Sequence, residues 1–363
     1  MKKVLFTATV DGHIKAFHLP YLKYFKDNGY EVHVAANGTS EIPYCDVKHY
    51  IPFSRSPFSI ENVRAYKALK FIIDKFNYSL IHCHTPVGGV VTRLAARNSR
   101  KKGTKVLYTA HGFHFYKGAP LLNWVIYYPI ETLLSKYTDG LITINNEDFQ
   151  IAKKCMNCKV YFTHGVGVDQ DKFNPKLYNK ALLRDKHHIS LDAFVLTCVA
   201  ELNRNKNQEF LIKSIPFLNK DIPNIILLLA GTGNEYIRLS ELINNMNLHA
   251  HVRLLGYRSD IPELLALSDV VVSSSQREGL PINILEGIFM GLPAVVTDIR
   301  GHRDIINTTE QGFLYSSNNC EHISTHIKDI YYGKVPNIPI KNITAYSLSN
   351  VVQEITEIYK LFS

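Results

Sequence analysis

The most informative stretch of the chain is Arg277-Glu278-Gly279-Leu280-Pro281-Ile282-Asn283-Ile284-Leu285-Glu286. It follows the apolar run Val270-Val271-Val272, which predicts a buried parallel strand. A helix is expected to begin after Pro281 and to carry Glu286 near its start. Two carboxylates therefore flank a junction that leads from the end of a strand into a helix. Open α/β sheets bind ligands at such ends, and the first amides of a helix attract phosphate.

The two acids at this junction need a role other than holding phosphate, and hydrogen bonding to sugar hydroxyls is the role we infer. The amides that would face a phosphate are those near Leu280, Ile282 and Asn283. Each acid also has a simpler interpretation. Glu286 could complement the positive end of its helix, and Glu278 could form a surface ion pair with Arg277.

The length and composition favour two domains with sizeable cores. The chain has 363 residues, of which 46% are hydrophobic and 20% charged. No apolar stretch approaches the ~20 uncharged residues of a membrane span. The basic start Met1-Lys2-Lys3 leads into a strand, and Asp11 and His13 interrupt the apolar stretch that a signal peptide would need. We therefore expect a cytoplasmic protein.

Strand-like and helix-like segments alternate along most of the chain, which predicts two doubly wound parallel sheets. We expect domains at residues 1–170 and 171–345, and an amphipathic helix within 346–363. Residues 10–13 are expected to form a loop after the first strand. Neither a complete G-x-G-x-x-G fingerprint nor a G-x-x-x-x-G-K-[ST] run is present, which argues against nicotinamide dehydrogenases and P-loop NTPases.

Positive charge is concentrated in the first half of the chain. The net charge is +9 overall, with +10 in residues 1–175 and −1 in residues 176–363. Anionic membrane surfaces and nucleic acid are the usual partners of such a surface, but the motifs offer no nucleic-acid recognition element. Residues 121–128 add Trp124 among aliphatic side chains and tyrosines, which suits a bilayer interface or, alternatively, a core helix.

Cysteines and histidines do not predict a metal centre. The pair Cys155 and Cys158 is a lone CxxC, and free thiols in a reducing compartment are the better interpretation. His82 and His84 alternate along one predicted strand, and no third ligand is evident in the sequence. We therefore expect these histidines to shape the fold, and we predict no metal site.

A series of motifs occurs in a characteristic order along nearly the whole chain. Glu278 and Glu286 form an E-x7-E pattern, and the other motifs are His82-Cys83-His84-Thr85-Pro86, Thr109-Ala110-His111-Gly112-Phe113-His114-Phe115, Asn203-Arg204-Asn205-Lys206-Asn207-Gln208, Ala230-Gly231-Thr232-Gly233, Gly256-Tyr257-Arg258-Ser259-Asp260-Ile261 and Arg300-Gly301-His302-Arg303-Asp304. The ordered set resembles the retaining glycosyltransferases of family four, in the branch that builds bacterial surface polysaccharides and glycans on lipid carriers.

The resemblance implies the GT-B fold, in which two Rossmann-like domains face each other across a central cleft and a C-terminal helix crosses back onto the first domain. It implies that residues 1–170 bind the acceptor and face the membrane, and that residues 171–345 bind the nucleotide sugar. The acceptor would be a glycan on a polyprenyl diphosphate. The protein would associate peripherally with the anionic inner face of the plasma membrane.

The resemblance also assigns roles to residues. Glu286 would bind the ribose, Glu278 would be a catalytic residue that contacts the donor sugar, and Lys206 would offset the diphosphate charge. The family often carries an arginine where this chain has Glu201, so whether Arg204 is the second cation stays open. The other residues predicted to bind the donor are Gly231, Arg258, Gly279, Leu280, Ile282 and Asn283.

Three residues of the first domain are candidates for acceptor binding, and one for catalysis. His111 would lie near the donor sugar and its β-phosphate. His13 would contact the acceptor or a phosphate, and Gly12 would let the backbone approach the substrate. Arg55 would contact the acceptor's diphosphate or, equally, form a structural ion pair.

The implied reaction transfers a sugar from a nucleotide sugar, expected to be a UDP-sugar, with retention of configuration by front-face displacement. We expect no metal cofactor, because helix amides and basic side chains would take the diphosphate charge. Two alternatives remain open at this point. One is a sugar-nucleotide 2-epimerase, which needs no acceptor, and the other is a non-catalytic subunit that binds a nucleotide sugar.

Overall fold

The structure is a computed structural model that describes residues 1–306, 308, 311–316, 319–334 and 340–362. The chain divides into two compact units. One comprises Met1–Val166 together with Ser349–Ser363, and the other comprises Gly167–Leu348. The predicted boundaries were 170/171 and 345/346.

The first unit contains a seven-stranded sheet. Its strands are β1 Lys3–Val10, β2 Glu31–Asn37, β3 Val47–Tyr50, β4 Leu80–His84, β5 Lys105–Ala110, β6 Gly140–Thr143 and β7 Lys159–Phe162. They lie in the order β3-β2-β1-β4-β5-β6-β7, and all neighbours are parallel. The helices are α1 Asp11–Phe17, α2 Leu19–Asp27, α3 Glu61–Phe76, α4 Pro86–Lys101, α5 Leu121–Ser135 and α6 Asn146–Cys155. The strand order reverses between β1 and β4.

The second unit contains a six-stranded parallel sheet. Its strands are β8 Phe194–Val199, β9 Ile225–Ala230, β10 Val252–Gly256, β11 Val270–Ser273, β12 Ala294–Thr297 and β13 Gly312–Tyr315, in the order β10-β9-β8-β11-β12-β13. The helices are α7 Lys180–Lys186, α8 Gln208–Leu218, α9 Tyr236–Asn245, α10 Ile261–Ala266, α11 Ile282–Phe289, α12 Arg300–Arg303 and α13 Cys320–Tyr331, with 3-10 helices at Pro175–Leu177 and Ile340–Tyr346. Here the order reverses between β8 and β11.

Continuous apolar runs form the central strands of both sheets because helices cover both sheet faces. All six residues of β9 are buried, and so are all four residues of β11. The prediction of two parallel α/β sheets is confirmed. The short edge strands β3, β7 and β13 were not predicted, because half-buried edge strands lack a continuous apolar signal.

The loop predicted at residues 10–13 was wrong, because α1 begins at Asp11. Asp11 lies in the first turn of this helix, where its carboxylate accepts hydrogen bonds from Lys48 Nζ and the Ser40 amide, both at 2.9 Å. Burial by itself raises the pKa of Asp11, but these hydrogen bonds outweigh it and lower the pKa to about 2. The helix start thus depends on partners 29 and 37 residues away, which a local pattern does not reveal.

The C-terminal helix α14, Leu348–Lys360, packs into the core of the first unit, as predicted for the helix that crosses back. Val351, Ile355 and Tyr359 are buried there. The Tyr359 hydroxyl is hydrogen-bonded to Nδ1 of the buried His82 at 2.8 Å. This bond joins the chain's last helix to the central strand β4.

We predict that Tyr359→Phe lowers the free energy of unfolding of the first unit by about 1–3 kcal/mol, because it leaves a buried His82 nitrogen without its partner. Trp124, the chain's single tryptophan, lies in the same unit, so its fluorescence during urea unfolding reports this unit. The control is Tyr50→Phe, whose side chain is exposed. Equal midpoints and slopes for the two variants would show that the buried hydroxyl contributes nothing.

Candidate functional site

The reversal of strand order between β8 and β11 brings two loops of the second unit together. The loop after β8 contains Lys206, and the loop after β11 contains Glu278. The amide of Gln276 donates to the Asn205 carbonyl at 2.8 Å, and the Ser274 hydroxyl donates to the Lys206 carbonyl at 2.9 Å. These bonds fix the two loops relative to each other at the sheet edge where open α/β sheets bind ligands.

Lys206 and Glu278 form an ion pair across these loops. Lys206 Nζ lies 2.6 Å from Glu278 Oε1, and the two side chains are 21% and 13% exposed. The alternative partner considered for Glu278 was Arg277, whereas the partner seen in the structure is Lys206. A predicted phosphate-binding cation and a predicted sugar-binding acid are therefore neighbours.

The short helix α12 supports the loop that carries Glu278. Arg300 Nε donates to the Glu278 carbonyl at 3.2 Å. A Cβ atom added to Gly301 would lie 2.6 Å from the carbonyl oxygen of Gly279, so only glycine allows this approach. The motif that contains Arg300 and Gly301 thus holds the backbone of Glu278 and Gly279 in place.

The N-terminus of α11 lies beside the ion pair in sequence and is anchored to β8. Asn283 Nδ2 donates to the Val199 carbonyl at 2.9 Å. Because the first amides of an α-helix have no partner within the helix, those of Ile282 and Asn283 remain available to an anion. Leu280 and Ile282 also pack, partly buried, against the hydrophobic core beneath this helix.

Glu286 lies in the second turn of α11, where burial raises the pKa of its carboxyl to about 7. Lys172 opposes this shift without cancelling it. The carboxyl is therefore close to half protonated at neutral pH. The alternative interpretation of Glu286 as a solvated acid at the helix start does not fit a carboxyl whose pKa is raised by burial.

Three other predicted donor residues have contacts that the sequence did not reveal. Arg204 is 90% exposed, and its Nε lies 3.7 Å from Glu235. Arg258 pairs with Asp260, donating from Nε at 2.8 Å. A Cβ atom on Gly231 would lie 1.9 Å from the Ala200 carbonyl oxygen, so this glycine serves the close approach of two loops.

In the first unit, the three predicted acceptor residues line one cavity of 650 Å³. The cavity lies at the carboxyl ends of β1 and β4, where the strand order reverses. A Cβ atom on Gly12 would meet nothing within 4 Å, so the space beside it is open. The other lining residues are Thr9, Val10, Phe17, Pro57, Thr85, Pro86, Val87, His114 and Tyr127, in addition to Gly12, His13 and Arg55.

His111 follows β5 and packs edge-on against His13, with 5.0 Å between the ring centres. Burial is the main cause that lowers the pKa of His111, to about 3, and His13 and His82 add to the effect. Burial, followed by the charge of Arg55, lowers the pKa of His13 to about 4. Both imidazoles are therefore neutral at physiological pH.

The structure also places His18, which was not predicted as a site residue, beside His13 and His111. Its ring stacks on His84 with 3.7 Å between the ring centres. His82 fits the expected structural role, since its two ring nitrogens are bonded to Tyr359 and Thr109. The only sequence signal for His18 was its position five residues after His13, at the end of a helix that was not predicted.

The surface of α5 exposes several large apolar side chains. The exposed fractions are 78% for Leu121, 64% for Leu122 and 64% for Val125. Residues 121–128 are also in part a core helix, as the alternative had it, because Trp124, Tyr127 and Tyr128 pack, partly buried, against the hydrophobic core of the first unit. An apolar cavity of 240 Å³ adjoins this helix and is lined by residues that include Phe58, Val87, Val90, Ile126 and Ile130.

None of the helices among the described residues is both long and apolar enough to cross a membrane. All six cysteines are free thiols.

Comparison with known proteins finds glycosyltransferases across the whole chain. A family model described as Glycosyl transferase 4-like matches residues 3–145, and one described as Glycosyl transferases group 1 matches residues 179–342. Glycosyltransferase EpsD of Bacillus subtilis (strain 168) is 47% identical over 369 residues, which span 99% of this chain and 97% of that protein. The UDP-Gal:alpha-D-GlcNAc-diphosphoundecaprenol alpha-1,3-galactosyltransferase of Escherichia coli is 30% identical over 311 residues, or 83% of this chain and 80% of that protein.

Solved structures share the fold at low sequence identity. A glycosyltransferase from Rickettsia africae ESF-5 is 22% identical with a TM-score of 0.79, and the match covers 99% of this chain and 98% of that one. Anabaena HepE, solved in complex with UDP, is 18% identical with a TM-score of 0.78, covering 99% and 100%. With its ordered motifs, its two parallel sheets and these relatives, the chain belongs to the family-four glycosyltransferases of bacterial polysaccharide biosynthesis and has the GT-B fold.

Proposed function

We propose that this glycosyltransferase moves a hexose from a UDP-sugar to a hydroxyl of a glycan carried on a polyprenyl diphosphate, with retention of anomeric configuration. The observation that carries the proposal is the Lys206–Glu278 pair, which sets a cation and a carboxylate 2.6 Å apart at a strand-order reversal. A nucleotide sugar offers a diphosphate to the cation and sugar hydroxyls to the carboxylate. The names of two relatives, from Escherichia coli and Campylobacter jejuni, give diphosphoundecaprenol-linked acceptors, which supports the choice of acceptor.

Lys206 and Glu278 are able to bind substrate while keeping their mutual contact. An ammonium group has three donors, and a carboxylate accepts at about four positions. Lys206 would donate to the donor's diphosphate, and the amides of Ile282 and Asn283 would share its negative charge. Glu278 would accept hydrogen bonds from the sugar hydroxyls and so hold the anomeric carbon in place.

In the proposed step, the bond between the anomeric carbon and the diphosphate oxygen breaks while a bond to the acceptor oxygen forms on the same face. The acceptor's proton passes to the departing diphosphate oxygen, so atoms and charge balance without a covalent enzyme intermediate. The positive groups around the diphosphate stabilise the charge that develops on it. This chemistry needs no metal, so we propose that transfer is metal-independent.

Two further residues would bind the donor, and the cavity of the first unit would bind the acceptor. Glu286, in its ionised form, would accept hydrogen bonds from both ribose hydroxyls of the nucleotide. His111 is neutral, so it would act as a hydrogen-bond partner of the sugar or the β-phosphate and not as a cation. The 650 Å³ cavity beside Gly12, His13 and Arg55 would receive the acceptor, with Arg55 facing its diphosphate.

We also propose that the first unit docks on the cytoplasmic face of the membrane. The exposed apolar side chains of α5 would enter the interface between headgroups and acyl chains. Arg55 and Lys117, exposed in loops at the same carboxyl-end edge of the sheet as the start of α5, would add attraction to anionic lipid. This arrangement would present the acceptor cavity to a lipid-linked substrate.

The direct test of the function is a screen of UDP-sugars with undecaprenyl-diphosphate-linked saccharides, read by mass spectrometry of the lipid product. We expect one donor and acceptor pair to yield a lipid-linked product one hexose larger, with the anomeric configuration of the donor. Conversion of a UDP-sugar in the absence of any acceptor would instead indicate an epimerase. Binding without turnover across the panel would indicate a non-catalytic subunit.

We predict that the affinity for a UDP-sugar rises about tenfold between pH 6 and pH 8, because the carboxylate that binds ribose forms as the pH passes the Glu286 pKa of about 7. Binding should release a proton, which calorimetry in buffers of different ionisation enthalpy detects. Glu286→Gln should flatten this pH dependence, and Glu286→Ala should lose about 1.5–3 kcal/mol of binding free energy for both UDP and the UDP-sugar. The control is Glu241→Gln, an exposed acid on α9. A pH-independent affinity in the unmodified protein would remove Glu286 from the ribose site.

We predict that the two members of the ion pair affect different steps, nucleotide binding for Lys206 and turnover for Glu278. Lys206→Ala should weaken UDP binding by about 1.5–3 kcal/mol, because it removes a charged partner of the diphosphate. Glu278→Ala should retain UDP affinity but reduce turnover about 100-fold or more, since its partner is the sugar. His111→Ala should follow the Glu278 pattern. Turnover and UDP affinity that fall together in a folded Glu278→Ala variant would show that these roles are wrongly assigned.

We predict that the protein sediments with vesicles that contain anionic lipid, binds neutral vesicles poorly and is released as salt rises, because each nearby cation contributes about 1 kcal/mol at low ionic strength. Leu122→Asp should weaken binding to the anionic vesicles, while Leu182→Asp, on an equally exposed side chain of the second unit, should not. Equal binding to neutral and anionic vesicles, or no binding at low salt, would contradict the electrostatic part.

A further inference from the structure

Four histidines from four separate segments meet in the first unit. His13 lies in α1, His18 lies between α1 and α2, His84 ends β4, and His111 follows β5. One ring nitrogen from each of them lies within 4.8 Å of the corresponding nitrogens of the other three. The distances between their ring centres range from 3.7 to 6.2 Å. We refer to these four residues as the histidine cluster.

Most ring nitrogens of the cluster are buried without a hydrogen-bond partner among the described residues. Both nitrogens of His18, both of His84, and Nε2 of His13 and of His111 are buried with no hydrogen-bond partner among the described residues. His18 is 2% exposed and His84 1%. Their neighbour His82, two residues before His84 on the same strand, has both nitrogens bonded by protein side chains. The fold thus provides hydrogen-bond partners for both nitrogens of His82, but for none of the six cluster nitrogens just named.

The chemistry of the cluster selects its ligand. A buried imidazole nitrogen that has no hydrogen-bond partner can offer its lone pair to a metal ion, and histidine is the commonest metal ligand. Four neutral nitrogens form a donor set for Zn²⁺ and for similar ions such as Co²⁺, Ni²⁺ and Cu²⁺. Mg²⁺ and Ca²⁺ prefer oxygen ligands, and the cluster offers none.

We propose that the histidine cluster is a binding site for one divalent transition-metal ion, with Zn²⁺ as the best match. A tetrahedral ion with metal–nitrogen bonds of ~2.0–2.1 Å would hold the ring centres roughly 5 Å apart. Five of the six ring pairs lie between 5.0 and 6.2 Å. The stacked pair His18 and His84, at 3.7 Å, would open to admit the ion.

Metal binding at this site would inhibit the transfer reaction. Coordination uses the lone pair of His111, which would otherwise contact the donor sugar or its β-phosphate, and it also fixes His13 beside the acceptor cavity. This consequence rests on the proposed function, whereas metal binding itself does not. The metal-independent chemistry and an inhibitory metal site are compatible, because the ion would occupy groups that transfer needs free.

The test uses the full chain without a polyhistidine tag, stripped with EDTA and dialysed. Calorimetric titration with ZnCl₂ should show about one bound ion per chain, and Zn²⁺ should raise the melting temperature. Co²⁺ should give the intense visible spectrum of a tetrahedral site, a readout that needs no variant. His18→Gln should lower the Zn²⁺ affinity at least tenfold, while His249→Gln, on an exposed surface, should leave it unchanged.

Absence of stoichiometric Zn²⁺ binding, or a Co²⁺ spectrum without tetrahedral character, would overturn the proposal. Equal Zn²⁺ affinity in folded His18→Gln and His249→Gln variants would do the same. Inhibition is tested separately, by dividing the sugar-transfer rate of each protein with Zn²⁺ by its own rate in EDTA. This ratio should be low for the unmodified chain and close to one for His18→Gln. Stoichiometric binding with an unchanged rate would keep the metal site but contradict the role of His111.

Discussion

Parallel strands end at a common edge of their sheet, and this constraint creates both candidate sites. In each unit the strand order reverses once beside the first strand, and the loops on either side of that reversal carry the polar side chains. In the second unit the two loops are joined by the Lys206–Glu278 ion pair. In the first unit the equivalent position holds the 650 Å³ cavity and the histidine cluster. The central apolar strands position all of these groups without contributing to the chemistry.

The two sites differ in their electrostatics. The second unit combines a cation, a carboxylate and free helix amides, with Glu286 near half protonation, so it suits a ligand that has both phosphate and hydroxyl groups. The first unit offers neutral imidazoles and a single exposed arginine at its cavity. Such a site places hydrogen bonds without strong charge. In the proposed reaction, the neutral imidazoles would position the acceptor hydroxyl, and Arg55 would face the acceptor's diphosphate.

The sequence predicted those parts of the molecule whose signal is local. The apolar runs of β9 and β11 and the start of α11 are visible in a few consecutive residues. Partners distant in sequence were not predictable. Lys206 is 72 residues from Glu278, and the first turn of α1 relies on Lys48. His18 joins the histidine cluster because the carboxyl ends of β1, β4 and β5 are neighbours in the sheet. Gly231 matched a ligand-binding motif, yet its contact with Ala200 shows a packing requirement.

A crystal structure of the chain soaked with a UDP-sugar tests most directly whether a nucleotide sugar binds at the strand-order reversal of the second unit. We expect the ribose hydroxyls on Glu286, the diphosphate within hydrogen-bond distance of Lys206 Nζ and of the amides of Ile282 and Asn283, and the sugar on Glu278. A nucleotide bound elsewhere, or a diphosphate that contacts Arg204 and Arg258 instead of Lys206, would contradict this expectation.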